Sequence, residues 1–306
     1  MKIGIIGMGW VGTSIASSLL LRCDVRELYL NDVRGRVAEG EALDLAHAAP
    51  FLRRTTVQAA TVEQMLGCDA IVIAAGRNGT ANESRLDLLR DNAAVVRSLG
   101  SALRSYAGLL VMVTNPVDVL TRVLLEETGL PPARVLGTGT LLDSARMRHR
   151  LGFELGVSPQ SVHMHVIGEH GDSQVAAFAS ARVGTLPLRS WPGWQREREA
   201  DLAGEIRRSA GEIIARKGAT NHAIGLATAY LLKWALGDER RVITVSRLQE
   251  GAAGLRDVCI SLPAVVGRLG AQTVLEPELD DAERLGLERS ATILRDAYAK
   301  LKQGTA

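Results

Sequence analysis

The chain has little sulfur chemistry. Its three cysteines, Cys23, Cys68 and Cys259, lie far apart, are odd in number and form no CxxC or metal-ligand spacing. They read as reduced residues, mostly small core side chains, with no metal site among them. Charge of one sign is equally short: 36 Lys and Arg face 34 Asp and Glu, for a net charge of +2. Nothing in that balance points to nucleic acid. No apolar run reaches the roughly 20 residues that a membrane span needs. Met1 passes directly into the strand-like MKIGIIG, which leaves no room for a signal peptide, so the expectation is a cytoplasmic protein without a membrane partner. Internal repeats, low-complexity tracts and long linkers are missing too.

What remains is a globular chain of 306 residues, 46% hydrophobic and 23% charged, long enough for two domains that share a cleft. In the first half short apolar runs alternate with amphipathic stretches, the pattern of a parallel sheet with crossover helices. Strands are expected at Ile3–Ile6, Glu27–Leu30, Thr55–Gln58, Ala70–Ala74, Leu109–Val113 and Arg134–Leu136. IVIAA and LLVMV are apolar throughout, as strands covered on both faces should be. Beyond Gly139 the expected elements are a helix from about Leu141, a strand around Val162–Ile167, a helix through Ala203–Lys217, the strands VITVS and VCISLPAVVG, and a helix from about Asp280. The segment Leu186–Arg198 reads as a long loop. The fold class is therefore α/β: a Rossmann-type doubly wound sheet over residues 1–138, followed by an α+β catalytic domain over 139–306.

Gly7-Met8-Gly9-Trp10-Val11-Gly12 follows the first strand and opens a helix, so its glycines permit a tight turn with a pyrophosphate resting on helix N-terminal amides. Asp32 ends the second strand twenty residues after Gly12, where a carboxylate accepts hydrogen bonds from ribose hydroxyls and repels a 2′-phosphate. NAD is expected as the cofactor in preference to NADP. The bland alternative is an empty glycine turn and an aspartate that caps the next helix.

Reducing a 2-oxo acid needs a proton donor, a cation for the carboxylate and donors that polarise the carbonyl. His170, in the glycine-flanked GEHGDS, is the candidate acid and base. Asp143 and Arg146 stand three apart on one helix face, suited to orienting the imidazole and clamping a carboxylate, although an i,i+3 pair is also what a surface ion pair looks like. Arg85 closes a polar, glycine-containing segment from Gly76 that suits a substrate lid. Asn115, in TNPV, ends a strand at the sheet's carboxyl edge, where a turn-forming role is the alternative.

Through GMGWVG, NDVRGRVAEGEALDLAHAAPF, ESRLDLL, TNPVD, GTGTLLDSARMR, GEHGDS and KGATNHAIG, in that order, the chain resembles the L-lactate/L-malate dehydrogenase family over nearly its whole length. The resemblance implies NAD-dependent interconversion of an L-2-hydroxy acid and its 2-oxo acid. It makes His170 the proton donor and acceptor, Asp143 its partner, Arg146 the carboxylate clamp and Arg85 the lid arginine. It also sets Asn115 on the substrate oxygen, with Thr220 and Ile224 near the substrate methyl and the nicotinamide. The GEHGDS and EGEALDLAHAAPF wording is closer to the lactate branch, and malate dehydrogenase is the alternative.

One position departs from the pattern. Six residues before Arg85, where lactate enzymes carry Gln and malate enzymes Arg, stands Gly79, which enlarges the pocket and favours a bulkier monocarboxylic 2-oxo acid unless Arg77 or Asn78 swings inward. Arg148 and His163 match positions where bacterial relatives bind fructose 1,6-bisphosphate, against the alternative that His163 and His165 are structural residues on one strand face. A homodimer or homotetramer is implied, with the helix around Glu39–His47 at an interface.

Overall fold

The computed structural model describes residues 1–304 apart from 53, 78 and 80–84; the side chain of Arg85 also lies outside the described residues, as does Asn78. Strands β1 (Lys2–Ile6), β2 (Glu27–Asn31), β3 (Thr56–Ala59), β4 (Ala70–Ile73), β5 (Leu109–Met112) and β6 (Val135–Gly137) pair in parallel in the order 3-2-1-4-5-6. Each lies within a residue or two of its expected position. Helices α1 (Trp10–Arg22), α2 (Gly35–Ala46), α3 (Arg85–Ala102) and α4 (Val117–Thr128) make the connections. β4 and β5 are buried along their entire length, which explains why their sequences carry no polar alternation. The strand order reverses between β1 and β4, and crevices for ligands open at such switch points.

After β6 come α5 (Leu141–Leu155), the short strands β7 (Val162–His163), β8 (Val166–Ile167), β9 (Val175–Ala176), β10 (Arg182–Val183) and β11 (Leu186–Pro187), then α6 (Arg198–Lys217) and α7 (His222–Leu236). The single strand expected over Val162–Ile167 is two, because β7 pairs with β10 whereas β8 pairs with β9. His163 and His165 therefore do not share a strand. Leu186–Arg198 is only partly loop: it holds β11, a single 3-10 turn and the start of α6. α7 went unassigned in the sequence. Its Ala229, Leu231, Leu232 and Ala235 are fully buried, and Gly225 brings it so close to α1 that a Cβ there would stand 2.8 Å from the Ser14 backbone.

The sheet does not stop at residue 138. β12 (Arg241–Glu250), β13 (Arg256–Gly267) and β14 (Gly270–Val274) extend it antiparallel to nine strands, with β12 joining β6 through Ser246 and Gly137. α8 (Asp281–Gln303) closes the described chain behind an Asp280–Glu283 capping box. Core residues of the two halves mix as a result: Ile73, Met112 and Leu124 share one apolar cluster with Ile260, Leu262 and Leu294. Each such fully buried Leu or Ile contributes about 1.5–3 kcal/mol, so the halves are held by packing as well as by strand pairing.

Candidate active site

Backbone sterics make the glycine turn. Gly7 has φ +99°, and a Cβ there would stand 2.4 Å from the Ala75 nitrogen; on Gly12 it would stand 1.9 Å from the Gly7 oxygen. Around Gly9 nothing lies within 4 Å of the same position, leaving room for a ligand to approach the start of α1. Asp32 accepts hydrogen bonds from the backbone N–H of Met8 (2.8 Å) and of Arg34 (2.9 Å). Burial raises its carboxyl, but these N–H donors outweigh burial and hold it below the usual carboxylate range. Oδ1 also takes the exposed Arg34 Nε at 3.4 Å, whereas Oδ2 keeps a second lone pair, so bracing the loop and accepting a ribose hydroxyl are compatible. A cavity of about 830 Å³ runs past Gly7, Gly9, Asp32, Asn92 and Val95. Open space at Gly9 and an ionised Asp32 beside it fit a dinucleotide.

The acid–base cluster is made of side chains. β8 delivers its loop to the site, where Gly168 bridges to Ser261 of β13 and Glu169 N–H donates to Ser290 Oγ of α8 (2.6 Å). His170 Nδ1 then lies 2.6 Å from Asp143 Oδ2, while Arg146 Nη1 donates to Asp143 Oδ1 at 2.8 Å. This is no surface pair: the Asp143 and Arg146 side chains are 4% and 15% exposed. Burial alone would pull the imidazole down, but Asp143, and to a lesser extent Asp118, outweigh burial and raise it. Asp143 shifts the other way: burial raises it, and His170 with Arg146 lowers it further. The outcome is an ion pair poised to hold a proton on the ring near neutral pH.

The two halves match two family models: the lactate/malate dehydrogenase NAD binding domain over residues 1–137 and the lactate/malate dehydrogenase alpha/beta C-terminal domain over 140–305. The chain belongs to the lactate/malate dehydrogenase family. It is 41% identical over 305 residues to the L-lactate dehydrogenase of Synechococcus sp. (strain JA-3-3Ab), covering 99% of this chain and 100% of the relative. With the L-lactate dehydrogenase of Thermus aquaticus it shares 39% identity over 308 residues, 98% of this chain and 99% of that one. The crystal structure of the minor L-lactate dehydrogenase from Enterococcus mundtii superposes with a TM-score of 0.94 at 34% identity, covering 98% of each chain. This member of the lactate/malate dehydrogenase family is thus an NAD-dependent enzyme that interconverts a hydroxy acid and an oxo acid.

Other positions that the family resemblance singled out fall into two groups. Asn115, Gly79, Val11 and Arg77 line one cavity of about 180 Å³ at the carboxyl ends of β4 and β5. The Arg77 guanidinium also pairs with Asp91 of α3 at 2.7 Å. Ile224 on α7 packs on the same apolar cluster as Val11, whereas Thr220 precedes α7 half-buried and makes no described hydrogen bond to His170 or Arg146. Arg148 and His163 line a second cavity, of about 670 Å³, with His165, Tyr230 and Trp234. Burial, together with the charges of Arg148 and His163, drives His165 down to about 4, so it is neutral there.

Two residues escaped the sequence reading. Asn92, 1% exposed on α3, accepts the Arg77 N–H (2.9 Å) and donates to the Asn115 carbonyl (2.9 Å), tying the segment after β4 to the end of β5. Asp118, 2% exposed on α4, accepts the His170 N–H at 2.8 Å. Each is a polar residue on an otherwise buried helical face, and that was the available signal.

Proposed function

We propose that the enzyme reduces pyruvate, or a bulkier monocarboxylic 2-oxo acid, to the L-2-hydroxy acid and runs the reverse oxidation, with His170 as acid and base. The 2.6 Å contact between His170 Nδ1 and Asp143 carries this reading. It commits Nδ1 to the carboxylate and leaves Nε2 for the substrate oxygen. The imidazolium gives its proton to the carbonyl oxygen as the alcohol forms, and the neutral ring takes it back in the oxidation. Asp143 holds the ring's orientation and stabilises its charged form. Arg146 spends one N–H on Asp143 and keeps the others for the substrate carboxylate, which a planar guanidinium binds in parallel. NADH, when bound, supplies the hydride. Gly7, Gly9, Gly12 and Asp32 hold the dinucleotide, with Val11 and Ile224 against the nicotinamide. Asn115 contacts the substrate oxygen, Thr220 the substrate methyl, and Arg85 stabilises the developing alkoxide on the strength of the resemblance.

Gly79 offers no side chain for a second carboxylate, so a monocarboxylic substrate is favoured over oxaloacetate. L-lactate dehydrogenase is also what the Synechococcus and Thermus aquaticus relatives are called. The test mixes purified protein with NADH and, separately, pyruvate, oxaloacetate, 2-oxoisocaproate and phenylpyruvate, with a His170→Ala control. Highest kcat/KM on a monocarboxylic acid, absent from the control, is the expected result. Preference for oxaloacetate would leave the mechanism standing and make the enzyme a malate dehydrogenase.

The same reading divides the chain at about residue 138 into a cofactor domain and a catalytic domain, assembles it as a homodimer or homotetramer, and sets it in the cytoplasm with its pool of NADH. Arg148 and His163, which both line the 670 Å³ cavity, would take the phosphates of fructose 1,6-bisphosphate, Arg148 as a cation and His163 as a hydrogen-bond donor. Addition of the bisphosphate is expected to change substrate affinity or oligomer mass; no change in either removes the effector.

A further inference from the structure

A second carboxylate is buried beside His170, on its backbone instead of its ring. Asp118 sits in the first turn of α4, 2% exposed, and its Oδ2 accepts the His170 backbone N–H at 2.8 Å. Its Oδ1 makes no hydrogen bond of normal geometry among the described residues, although the Ser246 hydroxyl, itself buried and unpaired, stands near enough to pull on the carboxylate. That atom's residue lines a cavity of about 10 Å³ with Arg122 and Cys259, and Arg122 Nη1 is likewise buried without a partner. A carboxylate so placed is expensive to ionise, and an amide would make the same backbone hydrogen bond at less cost. The hydrogen bond alone therefore does not explain why the residue is an acid.

We propose that Asp118 is a positioning residue for the acid–base step: its carboxylate pins the His170 backbone and, as a second anion beside the residue, stabilises the imidazolium. The proposal rests on His170 being the proton donor. Charged and titratable groups facing the pair are Asp143 and Arg146 from α5, Glu169 from the same loop, Arg122 from α4, Asp257 and Cys259 from β13, and Arg295 and Tyr298 from α8. Burial pushes the Asp118 carboxyl up to about 6, against the opposing pull of the Ser246 hydroxyl, the His170 N–H and the imidazole. Above that pH Asp118 is an anion, and its attraction raises the imidazole alongside the larger pull of Asp143. In pyruvate reduction the protonated ring is the active form, so Asp118 extends activity toward alkaline pH.

Asp118→Asn keeps the hydrogen-bond acceptor and removes the charge. The alkaline limb of the kcat/KM profile for pyruvate reduction is expected to move down by about one pH unit. KM for pyruvate should rise more at pH 8 than at pH 6. The His170 ring, followed by NMR in the ligand-free protein, should titrate lower by the same amount. A raised folded value for an acid also means that ionisation costs stability as pH rises from 3.8 through about 6. The melting temperature of the variant should therefore gain on wild type between pH 4 and pH 7. A purely structural brace predicts the reverse pattern: equal loss of kcat and stability at every pH, with no shift of either limb. That result, or an unmoved His170 titration, overturns the proposal. If the variant does not fold, the wild-type protein decides, because the His170 backbone N–H donates to Asp118 and its amide resonance should shift as the carboxyl ionises near pH 6; an amide that does not respond refutes the proposal. A wild-type protein inactive on every 2-oxo acid would sink the proposed function, and the NMR titration would still report on Asp118.

Discussion

Backbone atoms make the cofactor turn, whereas side chains from two helices and a loop make the acid–base cluster. At the turn, Met8 and Asp32 are 24 residues apart, and the site is a shape: an open approach at Gly9 framed by two positions where no Cβ fits. At the cluster, His170 meets Asp143 from 27 residues away and Asp118 from 52, and the site is a balance of charges. The first tolerates changes of charge better than changes of shape. The second should respond in the opposite way, and with a pH signature.

His170→Ala gives the largest expected effect, because it removes proton transfer outright: kcat/KM should fall by about 100- to 10,000-fold while NADH affinity, read by fluorescence, stays put. The same variant carries a stability signature. A raised imidazole contributes stability that is complete below its ordinary 6.5 and is lost as pH climbs through the folded value. Asp143, lowered from 3.8, contributes stability that is lost only in stronger acid. Thermal melts of the alanine variant should therefore lack the alkaline decline of wild type and show a weaker decline in acid, because His170 supplies the larger part of the pull that lowers Asp143.

Gly12→Ala attacks the shape of the other site. Its Cβ would meet the Gly7 oxygen at 1.9 Å, so the turn must move, weakening NADH by about 10- to 100-fold and leaving the pH profile unmoved. Asp32→Ala comes next, at about tenfold on NADH affinity, since it removes ribose acceptors but not the turn. Should Gly12→Ala shift the acid–base profile, the two regions are coupled and the contrast fails. Arg216→Ala breaks an exposed pair with Glu212 on α6, in neither region, and should move the melting temperature by less than about 1 °C.

Much of the cofactor half was legible before any coordinates because its signals are local. Apolar runs such as IVIAA bury both faces of a strand, and a glycine turn between strand and helix admits few other structures. The pairing of Asp143 with Arg146 was legible for the same reason, three residues on one helix. α7 was not, since its apolar residues surround the helix and show no single stripe until α1 is packed against it. Nor was the break between β7 and β8, which follows from each pairing with a different partner strand.

By itself, then, the sequence determined the order of strands and helices through β6, the glycine turn with its Asp32, and the spacing that sets Asp143 and Arg146 on one helix face, all through short-range sterics and recognisable spacing. Tertiary structure alone decided that β12 would carry the sheet across residue 138, that α7 would close on α1, and that Asp118 would stand beside His170. Those outcomes depend on contacts between residues far apart in the chain, whose cost in chain entropy is met only when the whole core packs at once.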